Sequence, residues 1–410
     1  MEKTVIVNQK NVDFNFLQYL PYVVSDNEQQ LAIYISPLFT LDKWYHHTLL
    51  TYDKKSQKIS TRKLTLPEEH KLALGFDAGD EYFFSYLFKL KKGAYYYCPT
   101  HVAKKGSSSV KPSEKIHLNS KYQPRIWQLH SKSNKMHAII IEEKFKRKEI
   151  ANYKVFVYDS LGNEVSNHDF KPYNVREPIL DYEAATLSED GEVSILFGGY
   201  GKRYLTFDTY YLALVGGANN GEEYRIPFPQ NEFKLISTNQ FLLLENGKHF
   251  IGIFTTDNKE KYGCYSLIFD RNSDDIVTQN YSLLPDECQL PKSGRLETVK
   301  ACELDNGTIA LLGDFQSIVY GRDDYRVYTC KDIVCQMLNQ NGECQEVQHI
   351  VKSQKSFANR KINPVLIGLS FTVEQKGNDL YLIYTDNIKE GEPLTLSVGM
   401  VIRLPEPARE

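Results

Sequence analysis

Seven short polar turns recur along the 410-residue chain, and their spacing restricts the fold more than any other sequence feature. Each turn lies between two runs of β-forming residues. The central residues are Asn27, Gly79, Asn134, Gly191, Gly247, Gly307 and Gly377. Asn and Gly reach positive φ at low cost, as tight hairpins require. The successive separations are 52, 55, 57, 56, 60 and 70 residues, and a repeat of this length with four strands is typical of a propeller blade.

The strands of one repeat can be assigned along the sequence to residues 184–188, 192–199, 209–217 and 222–229. The last repeat has only three, at residues 368–375, 379–386 and 394–404. Residues 4–8 (TVIVN) can supply its fourth strand, which would remove the exposed edges of an open sheet. We therefore predict an all-β fold, a β-propeller of seven four-stranded blades closed by an N-terminal strand. Residues 1–410 would form one domain; six or eight blades, or two stacked β domains, are the alternatives.

Composition excludes several classes of protein. The 49 Lys and Arg against 52 Asp and Glu leave a formal charge of −3, which argues against a dedicated nucleic-acid binder. No window approaches the ~18 apolar residues of a membrane helix, so no membrane span is predicted. The first residues lack the apolar core of a signal peptide. We expect a cytoplasmic protein or, if a leader has been removed, a periplasmic or cell-envelope one.

The seven cysteines show no zinc-ligand spacing, and buried free thiols are expected, with a Cys330–Cys335 pair as the alternative. The stretch 270–275 (DRNSDD) begins like a calcium loop but has Asp275 where the loop needs Gly, so it is interpreted as a solvated hairpin. The motifs HExxH, GxSxG, GxGxxG and the P-loop are absent. No catalytic residue is assigned, and neither a metal nor a cofactor is predicted.

Residues 331–387 carry a recognisable pattern. Asp332, Ile333, Val334, Leu338, Gly342, Ile350, Lys352 and Gln354 form its first part, and the second part consists of Asn378, Asp379, Leu380, Tyr381, Tyr384, Asp386 and Asn387. This pattern resembles the C-terminal part of a group of uncharacterised Bacteroidetes cell-envelope proteins. Glu346 stands where that group often has Trp. The resemblance implies an exported or envelope origin, which admits membership of a larger envelope complex, and brings no activity with it.

Turns between the second and third strands of the repeats combine cations with aromatic residues in six of seven cases. The candidate ligand-binding residues are Trp44, Tyr45, Lys91, Lys92, Lys146, Arg147, Lys202, Arg203, Tyr204, Lys261, Tyr262, Arg322, Tyr325 and Arg326. Cations attract anionic groups at long range, and aromatic faces stack on sugars. Three long connections, 284–296, 316–332 and 351–363, are predicted as loops on the same face.

Two functions remain open at this point. The first is a non-enzymatic binding or scaffold module that recognises an acidic protein surface or an anionic glycan through the basic, aromatic-rich face. The second is a glycan-active enzyme, a polysaccharide lyase or glycoside hydrolase, with its site at the channel mouth. Charged surface turns are also common without any ligand, so the basic face is a hypothesis.

Replacing Lys202→Glu together with Arg203→Glu tests that hypothesis. Reversing two charges on the predicted face should weaken binding of an anionic partner, measured by pull-down at low and high salt. Unchanged binding would remove these residues from the site.

Overall fold

The computed structural model describes residues 19–37, 46–65, 70–89, 94–105, 115–144, 150–173, 179–200, 207–218, 220–228, 233–234, 239–257, 261–289, 295–320, 325–359, 371–384 and 397–403. These residues form 28 strands in seven antiparallel sheets, numbered here in chain order. The prediction of an all-β fold is confirmed. The predicted closing strand, residues 4–8, lies outside the described residues.

The chain divides into two compact units. The first contains residues 1–128, 139–147 and 158–164, and the second contains residues 129–138, 148–157 and 165–410. Sheets 1 and 2 belong to the first unit. Their strands are β1 (Tyr19–Asp26), β2 (Gln30–Pro37), β3 (His46–Asp53), β4 (Lys58–Thr65), β5 (His70–Ala78), β6 (Glu81–Lys89), β7 (Tyr95–Ala103) and β8 (Ile116–Leu118). Sheet 3 has residues in both units; its strands are β9 (Arg125–His130), β10 (Met136–Glu143), β11 (Asn152–Asp159) and β12 (Glu164–Phe170).

Sheets 4 to 7 belong to the second unit. Sheets 4 and 5 comprise β13 (Ile179–Leu187), β14 (Val193–Tyr200), β15 (Phe207–Val215), β16 (Glu223–Pro227), β17 (Phe233–Lys234), β18 (Gln240–Leu243), β19 (His249–Asp257), β20 (Tyr262–Asp270) and β21 (Asp275–Leu283). A short 3-10 helix, Asp286–Cys288, follows. Sheets 6 and 7 comprise β22 (Arg295–Glu303), β23 (Ile309–Tyr320), β24 (Tyr325–Leu338), β25 (Cys344–Asn359), β26 (Phe371–Lys376), β27 (Asp379–Tyr384) and β28 (Ser397–Arg403).

Each sheet is a meander in which consecutive strands are hydrogen-bonded neighbours, apart from β17 and β18, which both pair with β19. The turn residues are those that the sequence predicts. Asn134, Gly79, Gly191, Gly247, Gly307 and Gly377 all have positive φ, between 56° and 89°. Glycine adopts this conformation without strain, and asparagine tolerates it better than most residues, so the local chemistry of these positions determines where the hairpins turn.

The middle strands are buried along almost their whole length. In β19 and β20 every residue except Asp257, Tyr262 and Asp270 is buried, whereas the outer strand β21 has only exposed and half-buried positions. Burial on both faces requires a neighbouring sheet on each side. In the second unit, apolar clusters fill the spaces between sheets 4 and 5, 5 and 6, and 6 and 7. In the first unit, one cluster joins sheets 1 and 2.

Two of the predicted loops are wrong. Most of residues 316–332 and 351–359 belong to β23, β24 and β25, which are 12, 14 and 16 residues long. The pairing runs from Ile309–Leu338 to Tyr320–Arg326, with one register shift between Asp314 and Phe315. Polar and charged residues interrupt the apolar pattern of these segments, but hydrogen bonding to neighbouring strands holds them in the sheet.

A buried ion pair lies in sheet 6. Lys352 Nζ is 3.1 Å from Asp314 Oδ2, and neither side chain has exposed surface. Gln316 Nε2 donates to Asp314 Oδ1 at 2.9 Å, and the Lys352 ammonium lies 5.4 Å from the centre of the Phe371 ring. Lys352, part of the pattern over residues 331–387, is therefore a structural residue.

The seven cysteines are free thiols, six of them buried and Cys344 half-buried. Cys330 and Cys335 are thus not paired with each other. The hairpin at 270–275 turns at Asp274, which has positive φ. No helix in the described part of the chain has the length and apolar character needed to cross a bilayer.

Stability should fall at mildly acidic pH because of His249. Its ring is fully buried, stacks on Phe241 at 5.4 Å and lies 3.0 Å from the Ser194 hydroxyl. Burial, aided by Arg271, lowers the pKa of His249 to about 4. A base with a lowered folded-state pKa contributes stability that is complete above its unfolded pKa and is lost as the pH falls below it.

The expected loss between pH ~6.5 and pH ~4 is about 3 kcal/mol, as urea unfolding across this range would measure. His249→Gln should flatten that part of the profile. His117→Gln, at an exposed position, is the matched control and should leave the slope unchanged. Equal slopes for the wild type and His249→Gln would contradict the assignment.

Candidate functional site

The two ends of each sheet differ in character. In a meander, the turns between strands one and two and between strands three and four lie at the same end, which we call the turn end. The turn between strands two and three lies at the other end of the sheet, which we call the opposite end. The predicted ligand-binding residues belong to the opposite end, and acidic turns dominate the turn end.

Turns of consecutive sheets are hydrogen-bonded to one another at the turn end. A donor in one turn meets a carboxylate or amide oxygen from the next in each of these contacts: Ser25 Oγ to Asp77 Oδ2 at 2.7 Å, Ser133 N to Glu189 Oε1 at 2.7 Å, Glu245 N to Glu303 Oε2 at 2.9 Å and Asn306 N to Asn378 Oδ1 at 3.0 Å. The repetition means that neighbouring turns hold each other in place.

A shallow cavity of about 370 Å³ opens at the turn end of the second unit, lined by Lys132, Ser133, Lys135 and Glu189. Burial would raise the pKa of Glu189, but hydrogen bonds from Ser133 and Ser131 outweigh it and the net shift is downward. The pKa of Lys132 is raised, mainly by its hydrogen bond with Glu245. The negative charges of Glu245, Glu303 and Asp305 act in the same direction. The charges around the cavity are thus largely compensated within the protein.

Cations at the turn end pair with carboxylates in both units. The pairs are Lys54–Asp26, Lys104–Asp77, Lys132–Glu245, Lys248–Asp270 and Arg271–Glu192. Paired charges attract distant ions weakly, so these five cations offer little free positive charge to an anion.

Few of the predicted ligand-binding residues can be placed. Trp44, Tyr45, Lys91, Lys92, Lys146, Arg147, Lys202, Arg203, Tyr204 and Arg322 lie outside the described residues. Tyr325 and Arg326 begin strand β24, where Arg326 pairs with Tyr320 and Ala358. The side chains of Lys261 and Tyr262 are described, and they behave differently from each other.

Lys261 is exposed on a turn whose backbone is fixed by three hydrogen bonds. Its N–H donates to Asp257 Oδ1, and its carbonyl accepts from Asp257 N and Tyr281 Oη, all at 3.0 Å. Among the described residues, no carboxylate forms an ion pair with its ammonium. Lys89, at the end of β6 in the first unit, is likewise exposed and has no described ion pair.

Tyr262 packs inward. Its ring meets Phe315 edge-on at 5.5 Å, and its backbone is bonded at both N and O to the Gln289 side chain at 2.8 Å. Burial raises the pKa of this phenol. The Tyr262 ring stabilises the packing between sheets 5 and 6, and Lys261 supplies the charge at this turn.

A polar network that the sequence analysis missed lies between sheets 4 and 5. Glu183 accepts hydrogen bonds from Tyr200 Oη and, at 2.9 Å, from Asn239 Nδ2. The Asn239 side chain is buried and accepts from the Tyr210 hydroxyl at 2.5 Å. Burial raises the pKa of Glu183, and Asp181 adds to the effect. The result is a half-buried carboxyl that retains its proton more readily than an exposed one.

Glu183 occupies the extra position of a β-bulge, since the register of β13 and β14 shifts between Tyr182 and Ala184. The first strands of sheets 1, 2 and 6 have the same shift, and their extra residues are the apolar Val24, Ala73 and Val299. The sequence signal that could have identified Glu183 is a carboxylate within a run of β-forming residues. The bulge that orients it depends on pairing and could not be read from one strand.

Groups of three or more His, Cys, Asp or Glu with the arrangement of a metal site do not occur among the described residues. His130 and His137 approach with their Nδ1 atoms 2.7 Å apart, and burial lowers the pKa of His130. One ring therefore donates to the other.

No protein-family model and no curated protein matches the chain. Among solved structures it is similar to the polysaccharide lyase Uly1 at 9% identity, covering 91% of this chain and 88% of that one, with a TM-score of 0.47. It is also similar to the β-propeller domain of the Trilobed protease from Pyrococcus furiosus at 10% identity, covering 80% and 95%, with a TM-score of 0.37. A third, an apocarotenoid oxygenase from Synechocystis, has 9% identity, coverage of 90% and 87% and a TM-score of 0.38. Likenesses at this level carry no function over to this chain.

The raised pKa of Glu183 predicts a pH-dependent effect of Glu183→Gln. In the folded protein this carboxyl keeps its proton to a higher pH than in the unfolded chain. Its contribution to stability is therefore present at low pH and is lost as the pH rises through the folded pKa. The difference in unfolding free energy between Glu183→Gln and the wild type should move in favour of the variant between pH ~4 and pH ~8, by about 1.4 kcal/mol for each unit of pKa elevation.

Glu222→Gln is the matched control. Glu222 also accepts from a tyrosine of sheet 4, Tyr224, at 2.6 Å, but this pair is exposed. Its substitution should shift stability by little at any pH. Parallel pH profiles for Glu183→Gln and the wild type would show that Glu183 titrates normally.

Proposed function

We propose that the seven sheets are the blades of one β-propeller domain. Three features support this: seven consecutive meanders, apolar clusters between consecutive sheets within each unit, and a seventh sheet with three described strands. In this arrangement residues 4–8 supply the fourth strand of the last blade, and the first strand of each sheet lines a central channel.

The domain acts as a binding or scaffold module for an anionic partner, either an acidic protein surface or an anionic glycan. The observation that carries this function is the presence of two exposed cations at the opposite end that no described carboxylate pairs. Lys89 and Lys261 are exposed at the opposite end without a described carboxylate partner, whereas Lys132 at the turn end is paired with Glu245. Unpaired cations on a fixed backbone attract anions and need no reorganisation to bind them.

The resemblance of residues 331–387 to Bacteroidetes envelope proteins supports a periplasmic or cell-envelope location and a place in a larger envelope complex. An anionic partner is consistent with that setting, since many surface polysaccharides carry carboxylate or sulfate groups.

A glycan-active enzyme is the second candidate, and Glu183 is the observation that favours it. Cleavage of a glycosidic bond requires a group that protonates the leaving oxygen, and a half-buried carboxyl with a raised pKa meets that requirement. Such an enzyme would lose activity on Glu183→Gln replacement while keeping its fold.

Charge removal at the opposite end tests the binding function. Lys89→Ala and Lys261→Ala should each weaken binding of a polyanion by up to about fivefold, because one exposed charge pair contributes at most ~1 kcal/mol. Isothermal titration with alginate and with poly-glutamate at low and high salt would measure this.

Lys132→Ala is the control, because Lys132 is also exposed to solvent but is paired with Glu245 at the turn end. Its replacement should leave polyanion binding unchanged. If Lys132→Ala weakened binding while Lys89→Ala and Lys261→Ala did not, the anion would bind at the turn end. Release of unsaturated or reducing ends from alginate by the wild type would support the enzyme instead.

A further inference from the structure

We propose that Glu183, held by Tyr200 and Asn239, is a subsite for the vicinal hydroxyl groups of a sugar ring, so that the anionic partner is a polysaccharide. This inference rests on the binding function proposed above and narrows its ligand from two classes to one.

A carboxylate at the position of Glu183 destabilises the fold compared with an apolar residue. Equivalent bulge residues in three other sheets are apolar, with Ala73 fully buried and Val24 nearly so. A carboxylate at such a place loses hydration that two hydrogen bonds replace only in part. Bulges redirect a side chain out of the regular pleat and are frequent next to binding sites. A polar residue at a position that packs apolar groups elsewhere is the kind of departure that marks a functional residue.

The carboxyl group retains capacity for a ligand. Each carboxylate oxygen has two lone pairs, and Tyr200 and Asn239 occupy one on each oxygen. Glu183 is half-buried, so part of the residue is reachable from solvent. Two oxygens about 2.2 Å apart on a planar group match a pair of adjacent hydroxyls, each of which can donate one hydrogen bond.

The surroundings fix the group before any ligand arrives. Tyr200 packs against the apolar cluster between sheets 4 and 5, and Tyr210 and Asn239 are buried. The Tyr210 hydroxyl donates to the side-chain oxygen of Asn239 and so orients the Asn239 amide. The NH2 group of Asn239 is then free to donate to Glu183. A chain of partners of this kind holds the side chain in one conformation, as binding sites require.

The charge state favours hydroxyl groups over a cationic ligand. An ammonium or guanidinium group would require the ionised carboxylate, and burial opposes ionisation here. No described cation forms an ion pair with Glu183. A hydroxyl can donate to the ionised form and accept from the protonated form, so it is compatible with both. The carboxylates of an acidic protein surface have no hydrogen to donate to Glu183, whereas a hydroxyl group does.

Titration calorimetry with two polyanions of similar length tests the inference: alginate, whose rings carry vicinal hydroxyls, and poly-glutamate, which has none. The wild type should bind alginate at least tenfold more tightly than poly-glutamate.

Glu183→Leu should lose about tenfold in alginate affinity, which corresponds to one or two charge-assisted hydrogen bonds, and should leave poly-glutamate binding unchanged. Glu183→Gln keeps one acceptor and should lose less. Glu222→Gln should bind alginate like the wild type. Circular dichroism and melting temperature would establish that the variants are folded.

The outcomes separate this inference from the function beneath it. Equal affinity of the wild type for both polymers, or undiminished alginate binding by folded Glu183→Leu, would overturn the sugar subsite and leave the anion-binding function intact. Binding of neither polymer would overturn both. Should Glu183→Leu fail to fold, the comparison of Glu183→Gln with Glu222→Gln decides in its place, since equal alginate affinities would overturn the subsite.

Discussion

A four-stranded meander in this protein has two apolar faces, and the meander cannot cover either of them by itself. The middle strands carry nearly continuous apolar runs, such as residues 250–256 of β19 and 263–269 of β20, which are buried throughout. Within each unit, consecutive sheets therefore pack face to face and share an apolar cluster. Because every sheet needs a partner, the repeat itself is the unit of stability, and single meanders would not persist alone.

This packing leaves few places for polar groups, and the polar groups at each place find their partners in a different way. At the turn end, hydrogen bonds from one turn to the next satisfy donors that no strand can pair. In sheet 6, Lys352 and Asp314 neutralise each other without solvent. Glu183 instead rests on neutral partners and keeps part of its surface exposed. The Asp314–Lys352 pair has no exposed surface, whereas Glu183 has some, and that difference underlies the sugar subsite proposed for sheet 4.

Local sequence was a good guide to some features and a poor one to others. Glycine at the turn centres predicts the hairpins correctly because the ability to adopt positive φ belongs to the residue type itself, as Gly191 and Gly247 illustrate. Residues 316–332 are predicted as a loop, and Tyr, Arg and Asp interrupt the apolar pattern there. The segment is mostly strand, since the ladder with residues 344–359 supplies hydrogen bonds that composition does not reveal. Tyr262 was expected to face a ligand, yet its side chain packs on Phe315 from a neighbouring sheet.

Sequence by itself therefore determined the repeat, the hairpin turns and the all-β class, because each depends on residues close together along the chain. Tertiary structure decided which polar side chains meet. Glu183 and Asn239 are 56 residues apart, and Asp314 and Lys352 are 38 apart. Their contacts arise only when two sheets stack or when three long strands align. The environment of a carboxyl group, and hence its charge and its capacity to bind a ligand, is set by neighbours that are distant in sequence, so it could not be read from the chain alone.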